Sequence, residues 1–426
     1  MEKAAQEIIN QAKEVLYGNI KTGISDWAGE YKYISPSIHH YRHQWFWDSC
    51  FHAIVLSHFN LELAKNEIRN LLKAQQPDGF VPHMIFWDRG VLGWREVLRP
   101  LESKPSLRPK TSQLIQPPLL AEAVEAIYKK EKNSDFLYEI LPKLVAYYKW
   151  LARERDPDDD GLISIIAPYE SGMDQSPSYD PVLGIDNSSA TAAAILGRTI
   201  TFRNMIRGYN LKKIFAANYF NVEDVMVNSI YIKNLQVLSR LLHEIDNEEA
   251  ARTFHHLSTK AKETLIKKCY DGTDSFFYDR YGAEEKSARV KTVKGLFPLI
   301  LDIPKTIVRD LIKNHLFNRD EFDLPFAVPS VAKSEKSFSA APVIMAKVIG
   351  KEPIIWRGPT WINTNWYIAR GLEYQGYEKE AKKLIERSVN LISLSGFREF
   401  FNPFTGEGYG AHNFGWSTLV VDMILS

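Results

Sequence analysis

Two acidic stretches set among aromatic residues hold the side chains best suited to chemistry. PYESGMDQSPSYD, at 168–180, carries Glu170 and Asp174 between Tyr169 and Tyr179; GFREFFNPFTGEGYGAHNFGWS, at 396–417, carries Glu399, Glu407 and His412. A carboxyl group walled by apolar rings beside a second carboxylate keeps its proton near neutral pH and serves as a general acid. A carboxylate that stays ionised draws a proton from water instead. One of each, facing a common substrate, is the equipment for splitting a glycosidic bond. Asp174 and Glu170 are the candidate donors, Glu399 and Glu407 the candidate bases, and Arg398 stands beside Glu399, where its charge favours the ionised form. For each late glutamate taken alone, a solvated surface group is the plain alternative.

Other short loops gather aromatic and amide groups. YRHQWFWDSCFHAI (41–54) offers Tyr41, His43, Gln44, Trp45 and Trp47, with Asp48 placed to cap the helix that follows. QPDGFVPHMIFWD (76–88) presents His83, Phe86, Trp87 and Asp88, and TSQLIQPPL (111–119) sets Gln116 before Pro117 and Pro118, which suit a first helical turn. IIWRGPTWINTNW (354–366) brings Trp356, Arg357, Gly358 and Trp361 to a helix start. Of the 10 Trp, 20 Tyr and 22 Phe, the Trp cluster in such loops instead of spreading along helix faces. Aromatic faces stack on the C–H surface of sugars, although large core filler is the alternative for any one of them.

Other chemistries find little support. The chain has no HExxH, no Cys/His metal spacing, no GxSxG elbow and no Walker or dinucleotide loop. DPDDDG (156–161) begins like a calcium loop at Asp156, Asp158 and Asp160, but its twelfth position is Ala167, so a solvated turn is the reading and a bound cation at 156–160 stays open. The same string spells the DxDD of terpene-type cyclases, and QQPDG matches part of their QxxDGxW repeat, with Val81 in the tryptophan's place and no recurrence. Lys plus Arg (53) nearly balance Asp plus Glu (52), so no global field draws nucleic acid or an anionic membrane. Cys50 and Cys269 read as buried thiols of a reducing compartment, with a disulfide between them still open. The N-terminus is an acidic amphipathic helix unlike a signal peptide, and no apolar run approaches the ~20 residues of a membrane helix. The expectation is a cytosolic protein with a small carbohydrate as partner, no metal and no cofactor; self-association stays open.

The elements that must position these loops are helices. Apolar periodicity marks 2–17, 48–75, 112–130, 134–153, 187–207, 222–243, 246–268, 305–316, 339–349, 361–376, 378–394 and 413–424. Start signals stand at Asp186-Asn187-Ser188 and at Asn221 with Asp224. The links are compact turns and none marks a domain boundary, so residues 1–426 form one domain. Some dozen helices with recurring motif loops predict an all-α (α/α)6 barrel, whose one end gathers loops distant in sequence. An α-solenoid would show a repeat, which is missing. The basic, proline-containing segment 98–112 is a candidate lid.

Taken together and in order, HQWFWDS, QPDGFVPH, QPP, ESGMDQSP, WRGPTWINTNW and REFFNPFTGEG…FGWS resemble the family-63 glycoside hydrolases, most of all the short branch acting on mannosylglycerate and glucosylglycerate, and more distantly trehalases and processing α-glucosidase I. The likeness runs from about Tyr41 to Trp416 and implies an (α/α)6 barrel that cleaves α-linked sugars with inversion. It makes Asp174 of SGMD the general acid and Glu399 of REFF the general base. Tyr41, Gln44, Trp45, Trp47 and Asp48 match the substrate-facing WxWDS stretch; Gln116, Trp356, Gly358 and Trp361 match sugar or aglycone contacts, and Trp87 more loosely. Ile355 stands where relatives often carry an aromatic. Glu170 is reserved as a second donor or a substrate contact. An anionic aglycone such as glycerate needs a cationic or hydroxyl-rich receptor, for which Arg42, Arg357 and His83 are at hand. A trehalose-like α-glucosidase, or an inactive sugar-binding protein on the same scaffold, are the alternatives.

Overall fold

The apolar periodicity resolves into two kinds of helix, some buried all round and some on one stripe only. The structure, a computed structural model, describes residues 2–88, 99–104, 110–186, 190–341, 343–344, 353–354 and 356–426. In chain order the helices that build the ring are α1 (Glu2–Gly18), α2 (Phe46–Leu56), α3 (Leu61–Leu72), α4 (Leu120–Glu131), α5 (Ser134–Glu154), α6 (Val225–His243), α7 (Glu248–Cys269) and the 3-10 helix α8 (Val293–Ile300), with two further helices, Ala190–Ile206 and Leu211–Ala217, between α5 and α6. They continue with α9 (Lys305–Asp310, running on as a π-helical turn Leu311–Leu316), α10 (Ile362–Tyr374), α11 (Glu378–Ser395) and α12 (Gly415–Leu419, leading into Val420–Leu425).

Every residue of α2 and of α8 is buried, whereas α3, α7 and α11 bury a single stripe. That difference sorts them into layers. Among the described residues α2 packs on α4, α4 on α6, α6 on α8, α8 on α10, α10 on α12 and α12 back on α2, which closes an inner ring. Outside it α3 covers α2, α5 covers α4, α7 covers α6, α11 covers α10 and α1 covers α12. This is the (α/α)6 barrel expected from the sequence. Because the chain alternates outer and inner helices, the segments leading into the inner helices collect at one end.

Local chemistry explains most helix starts and corrects several expected ones. The expected helix 48–75 is two, because the Asn60 side chain accepts the Leu63 amide and opens α3 afresh. The expected 112–130 begins only at Leu120, since Ser112 and Leu114 bond as extended backbone to Met84 and His83, so the two prolines precede the first turn. The start of α6 is capped by Asp224, through the Val227 amide, and not by Asn221. Within the helix expected at 339–349, Val343–Ile344 instead pairs as a strand with Pro353–Ile354, while 342 and 345–349 lie outside the described residues. The Asn187-Ser188 start signal, Ile355, and residues 98 and 105–109 of the segment expected as a lid lie outside the described residues.

Strands are short and serve the loops. β1 (Ile20–Ser25) and β2 (Gly29–Ile34) form a hairpin, β3 (Gln44–Trp45) and β4 (Met84–Ile85) pair antiparallel across α2 and α3, and β5 (Arg398–Phe401) and β6 (Gly408–His412) form a second hairpin. Cys50 and Cys269 are both free and buried. No helix among the described residues is long and apolar enough to cross a membrane.

Candidate active site

Strand β5 delivers Glu399 to the gathered end of the ring. The residue is 5% exposed, and both carboxylate oxygens are held: Tyr41 Oη donates to Oε1 at 2.8 Å and the Ala411 amide to Oε2 at 2.9 Å. Its backbone carbonyl accepts Trp416 Nε1 at 3.2 Å. Gly410, in β6, has φ +67 and its Cα faces the carboxylate so closely that a Cβ there would lie 2.5 Å from Glu399 Oε2. Arg398, one step along the strand, turns to the ring of His412 and the Gly410 carbonyl. Its charge nonetheless couples to Glu399: burial pulls the guanidinium below its ordinary range while the charges of Glu399 and Glu407 pull it back.

The segment that carries Asp174 meets the same aromatic floor. Gly172, at φ +71, sits against the Trp47 ring, and Trp47 packs edge-on to Trp416 with centroids 5.4 Å apart. Asp174 and Glu399 thus belong to segments on either side of one Trp47–Trp416 pair. Trp416 also touches Trp356 and Trp361, which stack face to face with centroids 3.6 Å apart, and Trp361 lies over Phe400 at 4.7 Å.

Among the polar atoms near Glu399 that are buried without a partner among the described residues are Trp45 Nε1, Asp48 Oδ1 and Trp361 Nε1. Trp45 packs on Tyr41, and Trp361 on Phe400. Such orphaned groups cost roughly 1–3 kcal/mol each until something pairs with them, which makes them natural partners for ligand hydroxyls. Asp48 lies in the first turn of α2 and not at its cap, which is Trp45. Burial, then the charges of Glu399 and Glu67, push its carboxyl well above the usual carboxylate range. The Gln116 carbonyl accepts the Trp47 amide at 3.1 Å and so satisfies one orphan donor at the start of α2.

Several residues expected to face a ligand are instead built into the walls. Glu170 is fully buried, with Arg155 Nη1 and Nη2 at 2.8 and 2.6 Å and the amides of Ile115 and Ile166 at 2.9 and 2.7 Å. Four bonds leave it no place for a proton to give or a sugar to hold, which corrects its reading as a donor or contact. Arg357 forms a bidentate pair with Asp180, at 2.8 and 2.5 Å, both partners being buried. Gln44 accepts Trp87 Nε1 and Asn70 Nδ2 while donating to Ser49 and Glu67, so Gln44 and Trp87 serve each other inside the protein, and Trp87 stacks on Trp27. His83 is buried against Ser112 Oγ. Gly358, at φ +147, has the Ser339 backbone against its Cα and donates its amide to Ser330 Oγ. Glu407 sits exposed on the β5–β6 turn, bonded to Tyr409, and drops out as a candidate base. Of the groups considered for a carboxylate receptor, Arg42 is the exposed one.

The acidic turn at 156–161 is settled by residues from elsewhere. Asp156 accepts the Asp160 and Gly161 amides, and Asp158 and Asp159 are exposed, which ends the cyclase reading. Oxygens of Asp158, Asp160, Glu223 and Glu285 come within 4.8 Å of one another. Lys268 Nζ lies among them, at 2.5 Å from Asp160 and Glu285, 3.3 Å from Glu223 and 3.4 Å from Asp158. The lysine supplies the positive charge there.

Glu67 and Trp416 join the site's surroundings without being among the candidates that residue type and spacing single out. Glu67 is fully buried, bonded to Ser49 Oγ at 2.5 Å and the Ile34 amide at 3.0 Å, and burial lifts its carboxyl to about 8. A signal was there: Glu67 interrupts the apolar stripe Leu63, Ala64, Ile68, Leu71.

Residues 41–417 match the mannosylglycerate hydrolase MGH1-like glycoside hydrolase domain. The chain belongs to this family. Within it, the mannosylglycerate hydrolase of Rubrobacter radiotolerans is 28% identical over 455 aligned positions, covering 99% of this chain and 97% of that one. The glucosylglycerate hydrolase of Mycolicibacterium hassiacum is 25% identical over 421 positions, covering 89% and 91%. The crystal structure of the family-63 mannosylglycerate hydrolase from Thermus thermophilus, in complex with Tris and D-glycerate, superposes with a TM-score of 0.82 at 26% identity, covering 98% of this chain and 100% of that one. As an MGH1-like glycoside hydrolase, the protein acts on glycosidic bonds, and the barrel end described above is where its catalytic groups are to be sought.

Proposed function

We propose that this glycoside hydrolase releases mannose or glucose from a small α-glycoside of glycerate with inversion, Asp174 acting as general acid and Glu399 as general base. The observation that carries the reading is the setting of Glu399: a buried carboxylate whose oxygens are oriented by Tyr41 and the Ala411 amide, beside the Trp47–Trp416 pair against which the Asp174 segment packs. Asp174 gives its proton to the glycosidic oxygen while Glu399 takes one from a water attacking the anomeric carbon from the opposite face. Inversion requires the carboxyls about 6.5–9.5 Å apart, to leave room for that water. The unpaired Trp45 Nε1, Asp48 Oδ1 and Trp361 Nε1 suit the hydroxyls of a hexose, and exposed Arg42 suits a carboxylate. The names of the relatives favour glycerate as aglycone.

The test is sugar release from α-mannosylglycerate, α-glucosylglycerate, trehalose and kojibiose, with NMR of the first-formed anomer. The expected result is turnover of one or both glycerate glycosides, with the β-anomer appearing first. Activity confined to trehalose or kojibiose sinks the glycerate assignment, and an α-anomer sinks inversion. Asp174→Asn and Glu399→Gln should each lose at least ~10²-fold in kcat; a wild type without turnover on any glycoside would leave a sugar-binding protein.

A further inference from the structure

Arg357 and Asp180 are 177 positions apart in sequence yet form a buried, bidentate pair. Each partner is attached to one half of the proposed acid–base pair. Asp180 follows Asp174 by six positions and opens the short helix Asp180–Leu183. Arg357 precedes Thr360 by three positions, and Thr360 and Phe401 exchange both backbone hydrogen bonds, at 2.8 and 2.9 Å. Phe401 lies two positions after Glu399 on β5. The loop between Glu170 and Asp180 is therefore pinned upstream by Arg155, the residue that caps the C-terminus of the outer helix α5, and downstream by Arg357, on the segment bonded to the base-bearing strand.

We infer that the Arg357–Asp180 pair is a strut that fixes the separation of Asp174 from Glu399, so that Arg357 is a positioning residue and not a substrate contact. This rests on Asp174 and Glu399 being the acid and the base. A planar guanidinium gripping both oxygens of a carboxylate sets distance and angle together, which a single contact does not. The reaction is sensitive to that geometry, since a displacement of about 1 Å can lower the rate about 10²-fold.

The test separates positioning from folding by choice of leaving group. Hydrolysis of the glycerate glycoside needs a proton on the departing oxygen. In the matching α-glycosyl fluoride the C–F bond breaks with fluoride leaving as the anion; water supplies the new C–O bond and its proton goes to Glu399, so the acid matters little. The double variant Arg357→Met, Asp180→Asn removes both charges together and avoids stranding one of them, which limits the loss of stability. Its kcat on the glycerate glycoside should fall by about 10²-fold or more, with KM little changed, while turnover of the fluoride stays within about 3-fold of wild type. Arg357→Lys keeps the charge but loses the fork, and should show a smaller loss of the same selectivity. Should the double variant fail to fold, Arg357→Lys alone decides: wild-type rates on both substrates, or equal losses on both, overturn the strut. Asp174→Asn runs alongside. If it loses no more on the glycerate glycoside than on the fluoride, the acid assignment itself fails; if it is selective and the Arg357 variants are not, only the strut fails.

Discussion

Gly172→Ala isolates the contact between the acid-bearing loop and the aromatic floor. Gly172 has φ +71, where an L-residue costs about 1 kcal/mol or somewhat more. An added Cβ would fall 2.5 Å from Trp47 Cη2 and Cζ2 and 3.0 Å from Cε2, and carbon contacts settle at about 3.5 Å, so something must move by about 1 Å. Trp47 cannot yield easily: it is 3% exposed and flanked by Trp416 and Phe51. The loop must shift instead, and it carries Asp174 two positions on. Gly184 supplies the control, with φ +68 and no atom within 4 Å of its Cβ position. Both alanine variants should lose about 1 kcal/mol from the backbone, with a further 1–3 or so for Gly172 from overpacking, read by thermal denaturation. Only Gly172→Ala should lose about 10²-fold in kcat, read by sugar release. If Gly172→Ala turns over at the rate of Gly184→Ala, the loop's seat on Trp47 does not position the acid.

Burial lifts the Glu67 carboxyl from its ordinary 4.5 to about 8, so its contribution to stability is full below about pH 4.5 and is lost as pH rises through about 8; Glu67→Gln, which imitates the protonated form, should flatten the fall of Tm across that window, and an unchanged slope would show that Glu67 does not set it. Tyr41→Phe removes a hydrogen bond to a carboxylate, worth about 1.5–3 kcal/mol, and should lower kcat by ~10-fold or more, with wild-type turnover as the contrary result. Lys268→Met strands four carboxylates together, so its loss in Tm should be larger at pH 8 than at pH 5; an equal loss at both would mean that charge is not what the lysine supplies.

Much of the barrel was legible because helical periodicity is local: α5, α6, α7 and α11 form close to where their apolar stripes lie. Boundaries went wrong where a side chain or a distant strand intervened, as at Asn60, which restarts a helix, and at Ser112, which pairs with Met84. The stretch at 343–344 has helical apolar spacing, yet its backbone partners lie ten positions ahead in Pro353–Ile354, and no local pattern announces a pairing of that kind.

By itself the sequence determined the inventory: an all-helical chain, near-neutral charge, carboxylates in aromatic loops, and motifs whose order pointed to one family. Only the tertiary structure decided what each polar residue is for. Glu170 and Asp174 look alike in the string PYESGMDQSP, but Arg155 folds onto Glu170 and consumes it. Arg357 resembles a ligand receptor until Asp180 is seen to hold it, and DPDDDG resembles a metal loop until Lys268 arrives from more than a hundred positions on. The physical reason is common to all three: the role of a charged side chain depends on whether an opposite charge is brought within bonding distance, which for Glu170 and Arg357 happens in a place that water has left. That distance is set by the closure of the ring and is written nowhere in the local sequence.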